Sequence, residues 1–70
     1  MNGKLIIEWN WNLSDYPNLT KDKKMELKQE AENRVFSQRA EGYTSGELHY
    51  EDEDISVWGW FESHYEEVNF

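Results

Sequence analysis

Only one segment of this chain can sustain a long helix, and one helix can cover only one face of a sheet. Residues 21–41 contain no Gly, no Pro and a single β-branched residue, Val35, so little within them opposes a helical backbone. Thr20 is placed to cap the first turn and Gly42 to end the last one in a left-handed conformation. At 100° per residue Leu27, Ala31 and Val35 form one row, flanked by Met25, Phe36 and Ala40, and that row is the predicted core face. Lys24, Lys28 and Arg39 fall inside or beside it, where their stems cover apolar surface while the charges reach water.

The flanking segments have period two. Leu5, Ile7, Trp9, Trp11 and Leu13 alternate with Ile6, Glu8, Asn10 and Asn12, which predicts a strand over residues 5–13. Residues 14–18 read as a turn, with Pro17 biasing Tyr16 away from helix. After the helix, residues 43–46 lead into a second strand at 47–51, where Leu48 and Tyr50 alternate with Glu47, His49 and Glu51. Asp52, Glu53 and Asp54 form a polar tip. A third strand over residues 55–64 carries Ile55, Val57, Gly59 and Phe61 on one side and Ser56, Trp58, Trp60 and Glu62 on the other. A strand apolar on both sides belongs in the middle of a sheet. The predicted fold is therefore α+β: a β-α-β-β unit with a three-stranded antiparallel sheet of order 1-3-2, one helix packed on one face, and a single small domain over residues 1–70.

The uncovered face is where function is expected. With Leu5, Ile7, Trp9, Trp11, Leu48, Tyr50, Val57 and Phe61 under the helix, the open face carries Ile6, Glu8, Asn10, Asn12, Glu47, His49, Glu51, Trp58, Trp60 and Glu62. Two Trp among carboxylates suit a basic partner, because indoles supply contact area and acids steer the encounter. The expected partner-binding residues are Glu47, His49, Glu51, Asp52, Glu53, Asp54, Trp58, Trp60 and Glu62. The rival reading reverses the strand phase and buries the indoles.

Charge supports the first reading. The net charge is -8, and the residues after Ala40 hold nine acidic groups with no Lys or Arg, whereas residues 1–39 balance seven basic groups against six acidic ones. Such a field repels nucleic acid and anionic lipid, so neither direct nucleic-acid binding nor a membrane role is expected. The basic residues Lys21, Lys23, Lys24, Lys28, Arg34 and Arg39 are scattered around the helix and diluted by Asp22, Glu26, Glu30 and Glu32, which leaves no basic stripe.

A chain of 70 residues without Cys has no disulfide to staple it, and a core of this size supplies about 3–5 kcal/mol. Four Trp, four Tyr and three Phe compensate in part, since each enclosed aromatic buries a large area. A homodimer formed through the open sheet face is a second route to stability, opposed by its acids. The lack of Cys and of an apolar leader fits a soluble, cytoplasmic protein. The loop tips and residues 66–70 are the expected mobile parts.

No reaction is expected. His49 and Glu51 share a strand face, but His-x-Glu is too short to specify a metal, and the acidic tip lacks both the oxygen ligands and the Gly of a calcium loop. Carboxylate pairs such as Glu47 with Glu62 would need a pocket to separate their pKa values. There is no nucleophile elbow, phosphate loop or nucleotide fingerprint, so no enzyme, metal or cofactor is expected.

Residues 41–48, Glu-Gly-Tyr-Thr-Ser-Gly-Glu-Leu, resemble a segment found after a helix and before a β-hairpin in small orphan proteins of phages and other mobile elements. In size, acidity and lack of catalytic motifs the chain also resembles anti-CRISPR and anti-restriction inhibitors. That resemblance implies a DNA-mimic-like inhibitor that acts in a host cell by occupying a basic nucleic-acid-binding surface. The alternative is a structural homodimer or accessory subunit.

Overall fold

The computed structural model describes residues 2–69, and the side chains of residues 2–67. Along the chain run β1 (Asn2–Trp11), α1 (Lys21–Ala40), β2 (Ser45–Glu51) and β3 (Ser56–Asn69). The three strands form one antiparallel sheet of order β1-β3-β2, with α1 packed on one face. The predicted β-α-β-β architecture and strand order are those observed.

Local chemistry sets both ends of the helix. Thr20 is extended (φ -67°, ψ 160°) and its side chain accepts a hydrogen bond from the Lys23 N–H at 3.1 Å, satisfying one of the first-turn donors that lack a helical partner. At the other end Gly42 adopts φ 99°. The Gly42 N–H donates to the Arg39 carbonyl and the Tyr43 N–H to the Gln38 carbonyl, both at 3.0 Å, which is the Schellman arrangement.

Leu27, Ala31 and Val35, spaced four apart, are the buried stripe of α1. They meet Trp11, Leu48, Tyr50, Ile55, Val57 and Phe61 from the sheet and its hairpin, with Ile7, Leu13, Tyr16 and Leu19 packed around the edge. Fully enclosed side chains such as Leu27 and Phe61 contribute about 1.5–3 kcal/mol each by leaving water. The indole N–H of Trp11 donates to the Leu27 carbonyl at 2.9 Å, tying β1 to α1 with its polar atom satisfied. The Tyr16 hydroxyl accepts from the Ser56 N–H at 3.0 Å and holds the β1–α1 loop against the start of β3.

Four expectations need correction. First, β1 ends at Trp11 instead of Leu13, where the chain turns through bonds from the Ser14 N–H to Asn12 Oδ1 and from the Tyr16 N–H to the Leu13 carbonyl. Second, β3 runs well past His64, because β1 supplies a partner as far as Asn2: Lys4 pairs with Glu66 and Gly3 with Glu67. Glu66 and Glu67 thus belong to a ladder, while Phe70 lies outside the described residues. Third, Met25 and Phe36 are exposed, Phe36 at 66%, and so is Ala40. Fourth, on β1 Leu5 and Trp9 are exposed, at 44% and 37%.

The last two corrections share a cause. The helix runs closest to β2 and leaves the β1 side of the same sheet face largely bare. There Ile7, Trp9, Glu32, Val35 and Phe36 line an open groove of about 260 Å³. Beyond Ser63, whose N–H donates to the Thr44 carbonyl, β3 pairs with β1 alone. The result is a two-stranded ribbon projecting from an elongated body of 48 × 23 × 17 Å.

Candidate partner-binding face

Strand register decides which side chains meet on the face away from α1. Along it β1 contributes Lys4, Ile6, Glu8 and Asn10, opposite Glu66, His64, Glu62 and Trp60 of β3. From the other edge β2 contributes Ser45, Glu47, His49 and Glu51, opposite Glu62, Trp60, Trp58 and Ser56. Trp58 and Trp60 are 57% and 44% exposed, so the reading that buried them fails and the strand phase is the one expected.

The indoles differ in support. Trp58 stacks on His49, ring centroids 4.1 Å apart and 26° between planes, a contact that favours this orientation of the two rings. His49 Nε2 also lies 3.3 Å from Ser56 Oγ and 4.0 Å from Glu51 Oε2. Trp60 sits in the central strand between Asn10 and Glu47. Next to it Glu8 and Glu62 are direct cross-strand partners, and like charges in that relation destabilise a sheet. Alternation places Glu8 on this face, although it is not among the expected partner-binding residues. Only the register brings it against Glu62.

The expected residues do not all gather here. Glu47, His49, Glu51, Trp58, Trp60 and Glu62 share the open face, whereas Asp52 turns to the helix side. Its Oδ2 accepts from Lys23 Nζ at 2.6 Å, and its Oδ1 accepts from the N–H groups of Asp54 and Ile55 at 2.8 and 2.9 Å. Asp52 thus closes the β2–β3 turn as an Asx turn and pins it to α1. The Tyr50 hydroxyl lies 2.6 Å from Glu26 Oε1 and 2.9 Å from Asp52 Oδ2, and Lys23 also pairs with Glu26 at 3.2 Å. One of the nine C-terminal acids is therefore answered by a base. Counting charge by segments misses this because the partners lie 29 residues apart. Glu53 and Asp54 remain exposed at the tip.

The cluster shifts its own titrations. The Lys23 ammonium, with the two N–H groups behind it, holds the Asp52 carboxyl far below its ordinary 3.8. Hydrogen bonds to Asp52 and Glu26 raise Lys23 above 10.5. Bonds to Glu26 and Asp52 raise Tyr50 above 10.0, and the bonds from Tyr50 and Lys23 lower Glu26 below 4.5. The depressed carboxylates stabilise the fold above their unfolded values and lose that contribution as pH falls through the folded ones. The raised Lys23 and Tyr50 contribute fully below 10.5 and 10.0, and their share is lost as pH rises through the folded values.

Stability should therefore hold between about pH 5 and pH 9 and decline on either side. In thermal melts at pH 7, Asp52→Ala is expected to lower the midpoint more than Asp52→Asn, whose side chain keeps the turn bonds. Both should exceed Glu53→Gln and Asp54→Asn. Equal midpoints across the series would contradict the role given to Asp52.

Arg39, in the last turn of α1, makes a separate contact with the helix side of β3. Its guanidinium donates to Ser63 Oγ and to the Tyr65 hydroxyl and lies 5.7 Å from the Tyr65 ring centre. Among the described residues no group of three His, Asp or Glu side chains is arranged to hold a metal ion, and no helix is long and apolar enough to cross a membrane.

No family model matches the chain, and neither a curated protein nor a solved structure matches it.

Proposed function

We propose that the protein is a non-enzymatic interaction module whose open sheet face binds a basic, nucleic-acid-binding surface of a host protein and blocks it. The observation that carries this reading is the exposure of Trp58 and Trp60 on a face with Glu8, Glu47, Glu51 and Glu62. Exposed indoles give a partner rigid contact area, and the surrounding carboxylates raise the encounter rate with a cationic surface. The opposed pair Glu8 and Glu62 supports it further. Their mutual repulsion is relieved when an Arg or Lys comes between them, so free energy withheld in the isolated chain is recovered on binding.

On this reading the chain acts as phage or mobile-element inhibitors do, presenting acids where the host surface expects phosphates. The alternative of a structural homodimer joined through this same face brings Glu8, Glu47 and Glu62 of two copies together, which their charge opposes.

A fluorescence titration tests the reading directly, because both indoles report on this face. An Arg- and Lys-rich peptide is expected to change the Trp emission at low salt and to lose affinity as salt rises, whereas duplex DNA leaves the emission unchanged. A response to DNA, or a peptide affinity indifferent to salt, would contradict the proposal.

A further inference from the structure

We propose that β1 is the interface of a symmetric homodimer, two copies pairing antiparallel along this edge about a two-fold axis through Ile6. It shares Glu8 with the open face but rests on the free edge of β1, so its failure and that of the binding proposal are distinguishable.

In the order β1-β3-β2 the outer side of β1 is an edge, ten residues long, and long apolar edges pair with other chains unless they are blocked. The phase of the ladder shows which groups are free. Asn12 N–H donates to the Trp58 carbonyl, and Trp11 stands opposite Gly59. Even-numbered residues of β1 therefore direct their backbone groups to β3, while Leu5, Ile7 and Trp9 direct theirs outward. The side chains of these three residues lie on the helix side of the sheet. Two are exposed and Ile7 is half-buried, beside exposed Phe36 and Tyr65.

Charge picks the register. With the axis at Ile6, Lys4 of each copy faces Glu8 of the other, Leu5 faces Ile7, Ile6 faces itself and Gly3 faces Trp9. Leu5 and Ile7, whose backbone groups point outward, become hydrogen-bonded partners. An axis at Leu5 sets Lys4 against Ile6, and an axis at Ile7 sets Glu8 against Ile6. An axis at Lys4 or Glu8 sets like charges on each other, which costs energy. Of these, only the Ile6 axis satisfies every pair, and by symmetry it makes the Lys4–Glu8 contact twice.

The helix does not obstruct this arrangement, because it runs closest to β2 at the far edge. The product is a six-stranded sheet with both helices on one side. The partner's Leu5 and Ile7 then lie beside the groove of Ile7, Trp9 and Phe36, covering apolar surface that one helix leaves bare. Both open faces lie on the opposite side, so any ligand of that face is met twice by one particle.

Sedimentation across the micromolar range tests the interface. The wild type is expected to show a reversible monomer–dimer equilibrium. Lys4→Glu and Glu8→Lys should each weaken it by about tenfold, since two pairs turn repulsive in each variant. The double variant K4E/E8K, which restores opposite charges across the axis, should return to within about threefold of wild type. Leu5→Pro, which removes an outward N–H and leaves the bonds to β3 in place, should abolish the dimer while the circular dichroism spectrum is kept. A wild type that stays monomeric up to about 1 mM, a dissociation constant too weak to matter, would overturn the proposal. So would a dimer indifferent to these variants, or one lost in W58A/W60A, which would place the contact on the open face.

Discussion

Gly59→Ala is expected to abolish the native sheet at room temperature. Gly59 stands in the central strand with its missing side chain on the helix side, between Trp11 and Leu48. A methyl group there overlaps the Asn10 carbonyl oxygen and comes within 3.0 Å of Trp11 Cε3. Neither neighbour can retreat. The Asn10 carbonyl faces β3 within the ladder, and the Trp11 indole is held by its bond to the Leu27 carbonyl. Overpacking a core costs about 1–3 kcal/mol when side chains can adjust, and here the obstacle is backbone. A core of this size supplies about 3–5 kcal/mol, so the substitution consumes most or all of it. Loss of the near-ultraviolet dichroism of the Trp residues is the expected observation, and a urea midpoint close to wild type would contradict it. Gly42→Ala meets open space and only the strain of φ 99°, and should cost about 1 kcal/mol.

The second large effect is on binding. Trp58→Ala and Trp60→Ala should each weaken the complex with a basic partner by about 2 kcal/mol or more, roughly thirtyfold, if the indoles are anchors. Stability should change little. The Trp58 variant gives up the stack on His49, worth about 0.5–1.5 kcal/mol, and Trp60, 44% exposed, lies outside the buried core. Calorimetry of the complex beside thermal melts of the free variants separates the two quantities. A melt lowered as far as that of a core variant would mean that the indoles hold the fold together. An unchanged dissociation constant would remove them from the site.

Much of this architecture was legible in the residues. The period of Leu27, Ala31 and Val35, the cap at Thr20 and the left-handed Gly42 define the helix. The two apolar sides of residues 55–62 make β3 central. What escaped depends on partners distant in the chain. Glu66 and Glu67 carry no hydrophobic signal, and they are strand because β1 is there to pair with them. Asp52 looks like one more solvated acid until the fold brings Lys23 to it. Met25 and Phe36 have the spacing of core residues, but burial depends on where the helix lies across the sheet, and α1 favours β2. For the open face, alternation alone gave the correct phase of Trp58 and Trp60, whereas the juxtaposition of Glu8 and Glu62 required the register.

Affinity capture from bacterial lysate, with wild type and W58A/W60A compared at low and high salt, tests the acidic, aromatic face most directly. The expected result is a nucleic-acid-binding protein retained by the wild type at low salt, released at high salt and missing from the Trp variant at both. A partner held equally by both forms and unmoved by salt would contradict the role assigned to that face.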